Sequence, residues 1–187
     1  MTAERMLKGS VIVDMVKVVR GFKDLPWDQY LRPEDWKVVN AMVIPTAWYP
    51  VESYFRIGWA VYKLVAKENA DTVRAFGKAA MNEMMQGPYK SFLYRNEPLE
   101  AVQKFLDLRK PLFNFSRMTA ERTGGKSLRV TVFEMGKFET GLDIFGLLAG
   151  IQFQHIVEQN GGKNVKLETR VISTAKDDDL IFDLTWQ

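Results

Sequence analysis

From Val11 to Phe22 the apolar residues fall on one helical face: Val11, Ile12, Met15, Val16, Val18, Val19 and Phe22. Ser10 is placed to cap that helix and Gly21 to stop it. Leu25-Pro26-Trp27 reads as a turn-like link, and Pro33-Glu34-Asp35 opens a second helix into Trp36–Met42, with proline in the first turn and acids at the positive end of the dipole. Pro45 and Pro50 interrupt the next stretch. Pro50 suits the first turn of a long helix to about Lys67, carrying Tyr54, Phe55, Ile57, Trp59, Val61, Tyr62, Leu64 and Val65. The pattern then predicts helices over Thr72–Gln86, stopped by Gly87-Pro88, and over Pro98–Lys110, capped by Asn96 or Glu97, with a short segment Tyr89–Tyr94 between them.

Beyond Phe113 the period changes to two. Leu128, Val130 and Val132 alternate with Arg129 and Thr131, which marks a strand with one buried face. Strands over Phe113–Thr123 and Ser127–Met135 flank Thr123-Gly124-Gly125-Lys126, a hairpin turn. A helix over Gly141–Gln159 ends at Asn160-Gly161-Gly162. Strands over Asn164–Ser173 and Leu180–Trp186 follow, joined by 174–179. Val165, Leu167, Thr169 and Val171 share one face, as do Leu180, Phe182, Leu184 and Trp186. The expected fold is a single α+β domain over 1–187. Residues 1–112 form a mainly helical bundle, and 113–187 a four-stranded antiparallel sheet of two hairpins separated by one helix.

Composition narrows the chemistry. The 187 residues contain no cysteine, which removes disulfides, thiolate metal sites and cysteine nucleophiles and suits a cytoplasmic location. The net charge of +3 is spread among mixed charges rather than gathered in a basic stripe, so no nucleic-acid partner is expected. No apolar run is long enough for a transmembrane segment, and the start from Met1 to Met6 lacks a signal-peptide core. Aromatic residues are abundant, at 12 Phe, 6 Tyr and 5 Trp.

The helix 141–159 carries two apolar stripes. One holds Leu142, Phe145, Ala149, Phe153, Ile156 and Val157; the other holds Ile144, Leu148, Ile151 and His155. His155 is the only histidine. It reads as a packed or interfacial imidazole ahead of a ligand contact or proton acceptor, because no base partner or second metal ligand accompanies it. Gly146 and Gly150 allow close approach of backbone or of a flat ligand. Trp48-Tyr49-Pro50, with Tyr54, either walls a pocket or plugs the core. Met81, Met84 and Met85 read as gap-filling core ahead of an adaptable binding surface. Asp177-Asp178-Asp179 lacks the spacing of a calcium loop and reads as a solvated turn. No phosphate loop, nucleophile elbow or zinc-protease motif is present.

Two stretches, Leu7-Lys8-Gly9-Ser10-Val11 and Ile44-Pro45-Thr46-Ala47-Trp48-Tyr49-Pro50-Val51-Glu52-Ser53-Tyr54, resemble a paralogous group of myxobacterial proteins of about this length. Roughly Leu99–Gln187 is similar in layout to the superfamily of H-NOX (haem nitric-oxide/oxygen binding) domains, 4-vinyl reductase domains and TRAPP small subunits. The resemblance rests on the hairpin, on Thr140-Gly141-Leu142 with Gly146-Leu147-Leu148-Ala149-Gly150, on Gly161-Gly162-Lys163-Asn164-Val165, and on the closing Phe182-Asp183-Leu184-Thr185-Trp186. Haem-binding members carry a proximal histidine on the helix before the hairpin. Phe105-Leu106-Asp107-Leu108-Arg109-Lys110 stands there instead, and Phe133-Glu134-Met135-Gly136-Lys137 replaces the Tyr-x-Ser-x-Arg propionate clamp. The TRAPP acylation cysteine is missing too.

The expectation is therefore a non-enzymatic sensory or adaptor domain binding a hydrophobic small molecule between helices and sheet. Trp48, Tyr49, Tyr54, Phe145 and Gly146 are its candidate contacts, with no cofactor and no metal. The alternative is a dimerising scaffold that docks a regulatory protein partner through the outer face of helix 141–159, at Ile144, Leu148, Ile151 and His155. An enzyme built on His155 ranks third.

Overall fold

A computed structural model describes residues 4–87 and 89–187, with the side chains of all of these but residue 92. The start read from Met1 and the stop read at Pro88 fall partly outside that range. Contacts divide the chain into two compact units. Unit 1 holds Met1–Thr72, Leu112–Phe115 and Phe138–Phe145; unit 2 holds Val73–Pro111, Ser116–Lys137 and Gly146–Gln187.

In unit 1, β1 (Met6–Lys8) pairs antiparallel with β2 (Trp48–Pro50), and helices α1 (Gly9–Gly21), α2 (Pro33–Asn40) and α3 (Val51–Leu64) follow from these. The two-stranded ribbon has no signal in the sequence, since three-residue strands carry no measurable period. It joins the stretch at Leu7–Lys8 to the one at Trp48–Pro50. Ser10 does not cap α1. Lys8 holds the cap position, and carbonyls of the following loop take the first amides instead, with Gly9 N–H donating to Ala47 O at 2.9 Å and Ser10 N–H to Pro45 O at 3.0 Å. The loop comes so close that a Cβ on Gly9 would sit 2.1 Å from Ile44 O. Asp35 at the third position of α2 accepts from Arg32 N at 2.9 Å, and Pro33 stands in the first turn as the pattern predicts. The long helix stops at Leu64, three residues before expectation, because Lys67 and Glu68 adopt left-handed backbone, at φ 52 and 59.

In unit 2, α4 (Ala70–Gln86, counted from Val73), α5 (Lys90–Leu93) and α6 (Pro98–Arg109) precede the sheet strands β3 (Arg117–Gly124) and β4 (Ser127–Phe133). Next comes α7 (Leu142–Gln159), whose first turn belongs to unit 1, then β5 (Lys166–Ser173) and β6 (Asp178–Thr185). The sheet order is β3-β4-β6-β5, antiparallel throughout, so the two hairpins join by β6 against β4. The α+β class and the four-stranded sheet are as the pattern predicts.

β3 starts at Arg117 rather than Phe113, because Phe113 bridges Leu7 in unit 1 and Ser116 turns the chain at φ 63. β4 ends at Phe133, since Glu134 is left-handed at φ 60. Leu128, Val130, Val132, Leu180, Phe182 and Leu184 are buried on the sheet face that α7 covers. Asp178 and Asp179 belong to β6 rather than to a solvated turn. Asp178 is buried, taking hydrogen bonds from Lys137 Nζ and Ser173 Oγ. No described helix is long and apolar enough to cross a membrane.

Candidate functional site

The candidate residues on α7 divide by the face they occupy. Gly146 and Gly150 lie toward the sheet. A Cβ at Gly146 would meet Leu180 and Thr169 at ordinary contact distance, and one at Gly150 would approach Leu167 Cδ2 to 2.7 Å. Phe153 takes the same side, edge to face with Phe182 of β6 at 5.1 Å and with Phe105 of α6 at 6.0 Å. The space between α6, α7 and β6 is therefore spanned by three buried phenyl rings. Arg109 closes this line, its Nη1 donating to Gln152 Oε1 at 3.1 Å.

The second stripe faces into the fold, not outward. Ile144, Ile151 and His155 are buried and Leu148 is half-buried. Ile151 packs on α4, whose Gly77 leaves room for it; a Cβ there would meet Ile151 Cγ2 at 3.2 Å. The buried residues of α4, Val73, Gly77, Met81 and Met85, recur every fourth position and make one stripe. This corrects the reading of an outer docking face. Ile144, Ile151 and His155 are interior in this fold, and Leu148 alone of the four is partly open. Both flanks of the helix are covered, which accounts for apolar residues on two sides.

His155 lies four residues on from Ile151 and is 5% exposed. Among the described residues neither ring nitrogen has a hydrogen-bond partner, and Nδ1 stands 3.9 Å from Glu158 Oε2. Burial pushes the imidazole below its ordinary value of 6.5, Glu158 draws it back up, and Lys78 of α4 lowers it further. The group is neutral at pH 7, one nitrogen a donor and the other an acceptor, both unused.

In unit 1, Tyr54 and Phe145 meet edge to face at 6.4 Å, within a cluster completed by Phe55 and Phe138. Trp48 and Tyr49 sit elsewhere, at the start of α1. Trp48 is 42% exposed with Lys8 Nζ 3.8 Å above its ring, while Tyr49 Oη accepts from Ile44 N at 2.9 Å. Of the five proposed ligand contacts, the structure joins Tyr54 with Phe145. Trp48 and Tyr49 form a separate corner, and Gly146 lies against the sheet of unit 2.

Met81 and Met85 are buried, as the gap-filling-core reading expects, while Met84 is half-buried. The four-residue spacing of Val73, Gly77, Met81 and Met85 carried that signal. Sequence reasoning missed Asn160, read only as a helix stop. Its Oδ1 accepts from Arg95 N at 2.7 Å and Asn96 N at 3.1 Å, while Nδ2 donates to Ile156 O at 2.8 Å. Among the described residues no group of three or more His, Asp or Glu side chains is arranged to hold a metal ion.

The residues do not fit a haem held as the H-NOX resemblance implies. An iron there needs an axial donor from the helix before the hairpin. On α6 the inward positions carry Phe105 and Leu106, Phe105 already edge to face with Phe153. The one imidazole lies instead on α7. In the clamp region Met135 is buried and Lys137 is engaged by Asp178.

No family model matches the chain, and no curated protein matches it. Solved structures do. The Fe(II) unliganded H-NOX protein from K. algicida superposes with TM-score 0.66 at 10% identity, over 97% of this chain and 97% of that one. A mutant of the T. tengcongensis H-NOX gives TM-score 0.62 at 12% identity, over 97% of this chain and 98% of that one. The chain has an H-NOX-like fold.

Proposed function

We propose that residues 1–187 act as one non-enzymatic sensory or adaptor domain, cytoplasmic and haem-free, that binds an apolar small molecule in the layer between α4 and α7. One observation carries this reading: His155 is buried with a donor and an acceptor that no described residue pairs. A buried polar group left unpaired costs about 1–3 kcal/mol, and a ligand presenting one hydrogen-bonding atom would recover it. The neighbouring stripe suits such a guest, because Met81 and Met85 are unbranched and repack readily around an irregular apolar body. Gly77 thins the wall of α4 where Ile151 meets it. The haem-binding members of the superfamily that the sequence resembles place a histidine on the helix before the hairpin; here that line carries Phe105, edge to face with Phe153. The paired stretches at β1 and β2 are the signature by which we infer membership of the myxobacterial group.

Native mass spectrometry and organic extraction of the purified protein test the proposal. The expected result is a retained apolar compound and no Soret absorbance, with the compound lost from a folded His155→Leu variant. A Soret band after haem addition, or unchanged retention in His155→Leu, overturns the assignment.

A further inference from the structure

The sheet of unit 2 has two outer strands, and they are finished differently. Along β3 the register slips between Arg122 and Gly124, and Gln103 of α6 donates its Nε2 to Ala120 O at 3.3 Å. A bulge and a side chain that occupies backbone groups both discourage further pairing. β5 has neither device. It pairs with β6 residue for residue from Lys166↔Thr185 to Ser173↔Asp178, without a register shift and without proline. Strand alternation sends Val171 and Ile172 to opposite faces, yet they are 49% and 48% exposed.

We propose that β5 pairs antiparallel with β5 of a second copy of this chain, about a two-fold axis at Thr169, to form one continuous eight-stranded sheet. The strand is self-complementary in that register. Glu168 stands opposite Arg170 of the second copy, and Arg170 opposite its Glu168. On the face that carries α7, Leu167 stands opposite Val171, again twice. An axis at Leu167 also sets Lys166 opposite Glu168, but it overlaps only the first three residues of β5, and the registers nearer Thr169 lack the match. An axis at Glu168 sets Glu168 against itself and Lys166 against Arg170, and an axis at Arg170 sets Arg170 against itself. Shifts of one residue place Glu168 opposite Val171, or Leu167 opposite Arg170. Arg170 already reaches Asp183 within its own chain, but its side chain is half exposed, so the incoming carboxylate of Glu168 has access to it. Such an interface is isologous and closes at two copies. It is independent of His155 and of any ligand.

Sedimentation or light scattering across a concentration series reads the result as mass. The wild-type chain is expected at twice the monomer mass. Glu168→Arg and Arg170→Glu, each confirmed as folded by circular dichroism, are expected at monomer mass at the same concentration. Mixing the two variants restores the doubled mass, because one copy then carries two arginines and the other two glutamates. A wild-type chain that stays monomeric, a Glu168→Arg chain that stays dimeric, or a mixture of folded variants that fails to reassemble overturns the proposal. If Arg170→Glu unfolds through its contact with Asp183, the Glu168→Arg result alone decides. Association with a different protein at this strand in place of a second copy also overturns it.

Discussion

Asp35 is fully buried on α2, and Arg56 of α3 grips it with two bonds, Nε to Oδ2 at 2.7 Å and Nη2 to Oδ1 at 2.8 Å. The paired geometry satisfies both oxygens, and Oδ2 also takes Arg32 N–H. Removing one partner leaves a carboxylate stranded out of water. Arg56→Ala is therefore expected to destabilise unit 1 by about 3–5 kcal/mol, measured by urea denaturation. Arg56→Lys should recover only part of that loss, since an ammonium cannot make the two-pronged contact. A wild-type midpoint in Arg56→Ala would show that the pair contributes little. Nothing in the local sequence marks Arg56 as special; its partner lies 21 positions earlier, and only the packing of α2 on α3 brings the two together.

The helices show which signals act locally. Glu97 caps α6 as expected, accepting from Glu100 N at 2.7 Å, and it also takes Arg122 of β3. Glu97→Ala should cost about 1 kcal/mol through the cap, read as a lowered unfolding midpoint. A loss well beyond that would assign the larger share to Arg122. Caps, prolines and periodic apolar faces were legible because they depend on neighbours within a turn or two. The bounds of α4, α6 and α7 accordingly fall within about two residues of the pattern. What stayed hidden depends on distant chain: the β1–β2 ribbon, the loop carbonyls that cap α1, and Phe113 leaving the strand for Leu7. The candidate site was half legible. Two apolar stripes on α7 correctly implied cover on both sides, but nothing in the stripe told an inner neighbour such as α4 from a second molecule.

At the scale of the whole chain, the charged groups of unit 2 predict a two-stage response to acid. His155 titrates below its ordinary value of 6.5 because burial disfavours the imidazolium. The unfolded chain thus binds the proton first, and stability falls as pH drops from about 6.5 toward the lower folded value. Glu97, Asp178 and Asp183 act further down. Burial pushes Glu97 and Asp178 up, but the Glu100 amide and Arg122 for one, and Lys137 and Ser173 for the other, outweigh it. Hydrogen bonds from Arg129 hold Asp183 low despite burial, with Arg170 adding to them. Their stabilisation is complete above the ordinary carboxylate range and disappears as pH falls through their depressed values. Urea midpoints recorded from pH 8 to pH 3 should show both limbs, and His155→Leu should abolish the upper one alone. Survival of the upper limb in that variant would assign it to another group.

The loop 41–47 leaves Met42 85% exposed, yet its carbonyls are tied to the opening amides of α1. Amides in a helix's first turn ordinarily trade hydrogen with water almost as freely as open chain. Those of Gly9 and Ser10 should instead take up deuterium slowly. The same tether should leave the loop's peptide bonds a poor substrate for proteases, despite the bulky residues it displays.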